Sequence, residues 1–129
     1  MENGSLLSSE NVAIIGASDK PERFSHKAML LLQEYGHKVF LVSPRYQEIE
    51  GQKVYSDLSE ISEKIDTVTM YVSERLQKDS LQQSIINSHP KRVIFNPGTE
   101  NELFERKLAE LKIEPQRACT LVLLRTGQY

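Results

Sequence analysis

The residues best suited to bind an anion follow an apolar run, Val-Ala-Ile-Ile at residues 12–15. That run ends at Gly16-Ala17-Ser18, and a helical pattern begins near Ser25. A buried strand that ends in a glycine and leads into a helix often cradles a phosphate. Glycine lets the backbone come close to a ligand, and a helix N-terminus favours negative charge. The three residues are only a fragment of a GxGxxG pattern, so taken alone they fit a plain turn equally well.

Basic residues are concentrated just after this glycine, at Lys20, Arg23, His26 and Lys27. Positive charge near a helix N-terminus is unfavourable unless an anion is bound there. The cluster therefore favours a polyanionic ligand, with Lys20 and Arg23 as the predicted phosphate contacts and the other side chains facing water. Ser25 fits an N-cap as well as it fits a ligand contact.

The end of the second predicted strand carries Ser43, Pro44 and Arg45 and has no carboxylate. Proteins that bind NAD usually have an acidic residue there to hold the ribose hydroxyls. A guanidinium beside a hydroxyl suits a phosphorylated ribose instead, because it offers charge and several directed donors. This pattern disfavours NAD as the ligand and leaves NADP or coenzyme A. The alternative is that Arg45 is a solvated surface residue without a ligand.

Two further segments end strands at the same predicted edge. Tyr71, Val72 and Ser73 end the third strand, where the tyrosine fits either the core or packing against a purine or pantetheine. Asn96-Pro97-Gly98 ends the fourth strand; a turn explains it fully, and its position also makes it a candidate ligand contact.

No constellation of catalytic residues is visible. His26, His37 and His89 are dispersed, without the spacing of metal ligands, and there is no GxSxG or Walker sequence. Cys119, the single cysteine, fits a small buried side chain; a thiol activated at a helix N-terminus is the alternative. We therefore predict a protein without a catalytic residue, and leave an enzyme that uses Cys119 open.

The bulk composition predicts one cytoplasmic domain. The chain has 129 residues, a net charge of -2 and 39% hydrophobic residues. The charge gives no case for nucleic acid, and no apolar run approaches the roughly 20 residues that span a bilayer. A lone cysteine fits a reducing compartment. Residues 1–10 are predicted as a flexible lead-in and residues 11–129 as one domain; a homodimer or a protein partner stays open.

Alternating strands and helices predict the α/β class, as a Rossmann-like three-layer sandwich. Its parallel sheet has about five strands with helices on both faces, and the loops that follow the strands share one edge. The predicted strands are residues 11–16, 38–42, 66–72, 92–95 and 113–118. Helices are predicted at residues 25–35, 58–61, 73–88 and 119–126, and another begins at a capping box with Thr99 as N-cap and Glu102 three positions on. Residues 43–54 are predicted as a long loop.

Taken together, these residues resemble the CoA-binding domain family of small bacterial proteins, from about Asn11 to Tyr129. The order and spacing of the landmarks carry the resemblance. They are Gly16-Ala17-Ser18 after the first strand, Val42-Ser43-Pro44, Glu48-Ile49-Glu50-Gly51 with Val54-Tyr55, and Asn96-Pro97-Gly98 with Asn101-Glu102.

A more distant resemblance is to the N-terminal domain of the succinyl-CoA synthetase alpha subunit. Tyr71-Val72-Ser73 and Lys78-Asp79-Ser80 are similar to a segment of that domain. The synthetase has a lysine where this chain has Arg45. The domain that carries the synthetase's active-site histidine has no counterpart in these residues, so ligase activity is not implied.

The family resemblance implies a Rossmann-like domain that binds coenzyme A, and the lack of a catalytic constellation leads us to expect a binding protein without catalysis of its own. Gly16, Ala17 and Ser18 would then meet the diphosphate, and residues 43–45 the adenosine with its phosphorylated ribose. Residues 71–73 would line the nucleotide, and residues 96–98 would lie by the pantetheine. An NADP-binding regulatory protein and a thiol- or acyl-CoA-handling enzyme using Cys119 are the alternatives.

Overall fold

Seven strands form one mostly parallel sheet in the computed structural model, which describes residues 9–129. The order across the sheet is β3-β4-β2-β1-β5-β6-β7, and the pairing of β3 with β4 is antiparallel. The strands are β1 (Asn11–Ile15), β2 (Lys38–Val42), β3 (Glu48–Ile49), β4 (Gln52–Tyr55), β5 (Thr67–Met70), β6 (Arg92–Phe95) and β7 (Glu114–Arg117).

Helices cover both faces of this sheet, so the predicted Rossmann-like α/β sandwich is confirmed. They are α1 (Phe24–Glu34), α2 (Asp79–Ser88), α3 (Glu102–Glu110) and α4 (Thr120–Arg125). Short 3-10 turns lie at Leu58–Glu60 and Glu74–Leu76. In the part of the chain that the structure describes, no helix has the length and apolar character needed to cross a membrane.

The side-chain alternation of β1 divides the core into two layers, because successive residues of a strand point to opposite faces. Val12 and Ile14 pack with α1 and α4, whereas Ala13 and Ile15 pack with α2 and α3. All four are at most 3% exposed. A strand that is buried on both faces needs apolar residues at consecutive positions, which explains the sequence of residues 12–15.

The prediction of a long loop over residues 43–54 is wrong in part, because this segment contains most of the β3–β4 hairpin. Its two turn residues, Glu50 and Gly51, have φ values of +50° and +77°. Two consecutive positive φ values are the geometry of a two-residue hairpin turn. Parallel pairing of β4 with β2 then places Tyr55 opposite Val42, so the hairpin adds two strands to the five predicted.

Three helix starts also differ from their predictions. The helix predicted over residues 73–88 is a 3-10 turn followed by α2, interrupted at Gln77, whose ψ of +72° is not helical. Helix α1 begins at Phe24 with Arg23 as its N-cap, so Ser25 lies inside the first turn. Asn101, and not Thr99, caps α3: its side chain accepts a hydrogen bond from the amide of Phe104.

The predicted lead-in falls mostly on residues 1–8, which lie outside the described residues. Its last two residues make hydrogen bonds to the end of α1. Ser9 Oγ donates to the Gly36 carbonyl at 2.8 Å, and the Glu10 amide donates to His37 Nδ1 at 3.1 Å. These contacts lie at the opposite edge of the sheet from the loops that follow β1 and β2.

Candidate functional site

A cleft of about 690 Å³ opens where the carboxyl ends of the parallel strands meet. Loops after β1, β2, β4, β5 and β6 line it, as expected for an open parallel sheet with helices on both faces. Twelve of the fifteen predicted site residues line this cleft: Gly16, Ala17, Ser18, Lys20, Arg23, Ser25, Ser43, Pro44, Arg45, Tyr71, Val72 and Pro97. The structure does not bring Ser73, Asn96 and Gly98 to its wall.

Gly16 allows the ends of β1 and β5 to approach each other. Its φ is +94°, and a Cβ built there would lie 2.9 Å from Val72 Cγ1 and 3.3 Å from the Tyr71 carbonyl. The amides of Gly16 and Ala17 both donate to the Val42 carbonyl, at 3.0 and 3.2 Å. Those two amides hold the turn against β2, so a phosphate at this turn has to be bound by other groups.

Such groups are present at the start of α1. Lys20 and Arg23 line the cleft, together with the hydroxyl residues Ser18 and Ser25. The first turn of α1 has no acidic residue, and its N-cap supplies no side-chain hydrogen bond. Because the first amides of a helix lack intrahelical partners and carry partial positive charge, this end of the cleft favours an anion.

The other two residues of the basic cluster have different positions. His26 is 3% exposed, and its Nε2 lies 2.5 Å from Glu50 Oε2, at the tip of the β3–β4 hairpin. Lys27 Nζ lies 5.5 Å from the centre of the Phe24 ring. His26 therefore ties α1 to the hairpin, and neither residue lines the cleft.

The turn after β2 is held in place by Ser43. The Ser43 amide donates to the Tyr55 carbonyl at 2.9 Å, and Ser43 Oγ accepts from the Arg45 amide at 3.1 Å. The Arg45 side chain is exposed, and within residues 9–129 it makes no ion pair. A fixed backbone with an unpaired guanidinium can present directed donors to a phosphate.

Tyr71 contributes more to the core than to the cleft. Its side chain packs against the apolar layer formed by α1 and α4. The hydroxyl is buried without a hydrogen-bond partner, and burial raises the pKa of the phenol to about 12. The tyrosine therefore stays neutral at physiological pH, and the residue belongs both to the cleft wall and to this apolar layer.

Asn96 has a structural position. Its Nδ2 donates to Thr69 Oγ1 at 2.7 Å and to the Met70 carbonyl at 2.9 Å, and its Oδ1 accepts from the Thr120 amide at 2.8 Å. The side chain thus joins β5 to the first amide of α4. With its donors and acceptor engaged in this way, Asn96 supports the loop that carries Pro97 into the cleft.

Gln77 is a residue whose role the sequence did not indicate. It is 3% exposed, and its Nε2 donates to the carbonyls of Val72, at 3.0 Å, and Thr99, at 2.7 Å. Its Oε1 accepts from Asn101 Nδ2 at 3.0 Å. One buried amide therefore fixes the spacing of the loops after β5 and β6, and its only sequence signal was a polar residue inside a helical pattern.

Asp57 is a cleft residue that the sequence reading missed. It lies two residues beyond β4, and no strand was predicted there. Partial burial alone would raise the pKa of its carboxyl, but hydrogen bonds from Ser59 and Ser84 outweigh that cost and hold the pKa below its ordinary value. The remaining residues that line the cleft beyond those predicted are Ile15, Phe24, Val42, Tyr46, Ser56, Leu76, Ser80, Leu81 and Thr99.

The residues that line this cleft can bind an anionic group, through Lys20, Arg23 and Arg45. Within residues 9–129, no group of three or more potential ligands is placed to hold a metal ion. Cys119 is half-buried beside the N-terminus of α4 and does not line the cleft.

Comparison with protein families gives a match over nearly the whole chain. A family model described as "CoA binding domain" matches residues 10–125. "Uncharacterized protein YneT" from Bacillus subtilis is 29% identical over 106 residues, which cover 72% of this chain and 78% of that protein. An ADP-forming acetate–CoA ligase from Methanocaldococcus jannaschii is 32% identical over 105 residues, which cover 79% of this chain but 15% of the ligase.

Solved structures show the same architecture. A crystal structure described as that of an uncharacterized protein superimposes with a TM-score of 0.88 at 38% identity, covering 94% of this chain and 98% of that one. A hypothetical protein from Pyrococcus horikoshii OT3 gives a TM-score of 0.82 at 30% identity, with coverages of 93% and 85%.

Proposed function

The chain belongs to the CoA-binding domain family, and from that premise we propose that it binds coenzyme A, free or acylated, in the cleft at the carboxyl edge of the sheet. The observation that carries the proposal is the charge of those residues of the loops after β1 and β2 that line the cleft; Asp19 and Glu22, on the first of these loops, are not part of its wall. Lys20, Arg23 and Arg45 lie along these loops, and no carboxylate ends β2. Coenzyme A combines a diphosphate with a phosphorylated ribose, so it offers anionic groups to both loops.

The diphosphate is assigned to the start of α1. Lys20 and Arg23 supply charge, Ser18 and Ser25 supply hydroxyls, and the helix N-terminus supplies amides. Because the Gly16 and Ala17 amides are used by Val42, these two residues act by leaving room for the ligand.

The phosphorylated ribose is assigned to Ser43, Pro44 and Arg45, which follow the neighbouring strand β2. The pantetheine then runs along Val72 and Pro97 toward the end of β6. This direction follows from the order of the loops across the sheet, with β2, β1, β5 and β6 as consecutive neighbours.

The role proposed is that of a cytoplasmic binding module without catalysis of its own. The acetate–CoA ligase relative is a much longer protein, of which this chain matches 15%, so its reaction is not assigned here. The cysteine on which an enzyme alternative depends stands outside the cleft wall.

Isothermal titration calorimetry with CoA, NADP and NAD tests the proposal. We expect the tightest binding for CoA and the weakest for NAD, since β2 ends without the carboxylate that holds NAD ribose hydroxyls. Tighter binding of NADP than of CoA would favour the dinucleotide-sensing alternative. Preference for NAD would contradict both.

A further inference from the structure

Asp57 lies at one end of the row of loops that line the cleft. Strand β4 ends at Tyr55, which pairs with Val42 of β2, and the Ser43 amide donates to the Tyr55 carbonyl at 2.9 Å. Ser56 and Asp57 therefore run beside the turn of Ser43 and Arg45. At the other end of the row lie Pro97 and Thr99, beyond β6.

The Asp57 carboxylate is held in one orientation by neighbouring donors. Its Oδ2 accepts from the Ser59 amide at 3.0 Å, from Ser59 Oγ at 2.5 Å and from Ser84 Oγ at 2.9 Å. The same Ser84 hydroxyl lies 3.2 Å from Oδ1 and 3.0 Å from the Ser80 carbonyl, and its one hydrogen cannot serve all three acceptors. A carboxylate has about four lone-pair positions, so Oδ1 retains the capacity to accept a further hydrogen bond.

An ionised carboxylate weakens the binding of a phosphate close to it, because like charges at close range repel. Lys20, Arg23 and Arg45 lie on the loops after β1 and β2, whereas Asp57 lies on the loop after β4. Within the described residues Asp57 makes no ion pair that would neutralise it. This end of the cleft therefore suits a part of the ligand that is uncharged and donates hydrogen bonds.

The cleft also offers surface that suits a flat ring. Pro44 and Leu81 add apolar surface to the same cleft, and Ser80 adds a hydroxyl at the start of α2. Ser84, which holds Asp57, belongs to α2 as well, so the helix and the carboxylate are fixed relative to each other. A purine extending from a ribose at Arg45 would reach this region first.

We propose that Asp57 accepts a hydrogen bond from the exocyclic amine of a 6-aminopurine and so selects adenine over 6-oxopurine nucleotides. The inference rests on the proposed function, since it assumes that a nucleotide occupies the cleft. Beyond the proposed function, it names Asp57 as the residue that recognises the base. At the position of that amine a 6-oxopurine carries a carbonyl oxygen, which cannot donate to the carboxylate; its N1–H donor lies at the neighbouring ring position and would meet Asp57 only if the base shifted.

The test is calorimetric titration of the full chain with adenosine 3′,5′-bisphosphate and with inosine 3′,5′-bisphosphate, which carry the same phosphates on different bases. We expect the adenosine compound to bind on the order of tenfold to a hundredfold more tightly, as for a hydrogen bond to a charged group. In Asp57→Asn the preference should fall to within about threefold, because the amide can donate to a carbonyl as well as accept from an amine.

Asp19→Asn is the matched control, since it removes the same charge from an exposed residue on the loop after β1 that is not part of the cleft wall. It should keep the wild-type preference. Thermal unfolding without ligand checks that Asp57→Asn folds; asparagine is also a good N-cap for the 3-10 turn that Asp57 begins.

The outcomes separate the two proposals. Equal affinity of the wild-type chain for both bisphosphates, or an unchanged preference in Asp57→Asn, would overturn the inference about Asp57 and leave CoA binding intact. Failure of both bisphosphates and of CoA to bind would overturn the proposed function, and the inference with it.

Discussion

Gly16 is the residue at which backbone conformation and site geometry depend on each other most closely. A side chain at Gly16 would cost stability through backbone strain and through a steric contact. Comparison with Gly98 separates the two costs, because the φ values of Gly16 and Gly98 are similar, +94° and +91°, but their surroundings differ. A Cβ at Gly16 would lie 2.9 Å from Val72, whereas a Cβ at Gly98 would have nothing within 4 Å.

We predict that Gly16→Ala lowers the free energy of unfolding by about 2–4 kcal/mol, from backbone strain plus the contact with Val72. Gly98→Ala should lower it by only about 1–2 kcal/mol, because it has the strain alone. Urea denaturation measures both. Equal losses in the two variants would show that the close approach of β1 and β5 is unimportant.

Arg45 gives a second prediction at this scale. Arg45→Ala should weaken CoA on the order of tenfold and leave dephospho-CoA nearly unchanged, because the guanidinium is assigned to the ribose phosphate that only CoA carries. Calorimetry with both ligands measures the difference. Arg106→Ala, on the exposed face of α3, is the control and should change neither affinity. Equal losses for both ligands in Arg45→Ala would remove that assignment.

The elements around the cleft are joined by buried amide side chains. Asn96 connects β5 to the first amide of α4, and Gln77 connects the loops after β5 and β6. A buried donor or acceptor that loses its partner costs free energy, so these side chains fix the spacing of the elements.

Removal of the Asn96 amide tests this role. We predict that Asn96→Ala lowers the free energy of unfolding by roughly 2–4 kcal/mol, because the Thr120 amide and the Met70 carbonyl lose their partner in a dry environment. Asn87→Ala removes an exposed amide on α2 and should cost less than about 0.5 kcal/mol. Chemical denaturation distinguishes the two, and a loss for Asn96→Ala no larger than for Asn87→Ala would contradict the assignment.

The same elements show what local sequence could and could not predict. Apolar runs and glycine breaks were sufficient for β1, β2, β6 and α1, because the strands are mostly buried and the helix buries one continuous face. The β3–β4 hairpin was missed because its strands are short and half polar. The cap of α3 was misplaced because the hydrogen bond that selects Asn101 over Thr99 depends on where the loop after β6 turns. The N-cap of α1, Arg23, makes no side-chain capping hydrogen bond, so its start has no capping signal in the sequence.

Site prediction followed the same division. Parallel topology predicts that loops after strands share an edge, so Gly16, Ser43 and Val72 could be brought together from sequence. Asp57 could not, because it follows a strand that was not predicted. Asn96 looked like a ligand contact, although its side chain is hydrogen-bonded within the protein; only the tertiary structure shows which polar groups a buried side chain faces.

At the scale of the whole molecule, stability should depend on pH through His37, at the sheet edge opposite the cleft. Burial lowers the pKa of His37 from its ordinary 6.5; Glu10 opposes this shift and Arg92 adds to it. The neutral ring accepts a hydrogen bond from the Glu10 amide. The unfolded chain takes up the proton more readily than the folded protein. The contribution of His37 to the free energy of unfolding should therefore be fully present above a pH of about 6.5 and should be lost as the pH falls below that value.

Denaturation midpoints measured from about pH 7.5 to about pH 5, a range that brackets the ordinary histidine pKa, check this dependence. His37→Asn keeps an acceptor for the Glu10 amide without a titrating ring, so its stability should vary less over this range. His89→Asn, at an exposed position, should retain the wild-type slope. An unchanged slope in His37→Asn would mean that other groups carry the effect.

Occupation of the cleft by CoA can be observed by amide chemical-shift mapping with NMR during a CoA titration. We expect saturable shifts at Ser18, Arg45 and Val72, with Asp57 among the affected amides, and negligible shifts at His37 and Arg92 on the opposite edge. Shifts confined to that opposite edge, or no saturable shifts at millimolar CoA, would contradict it.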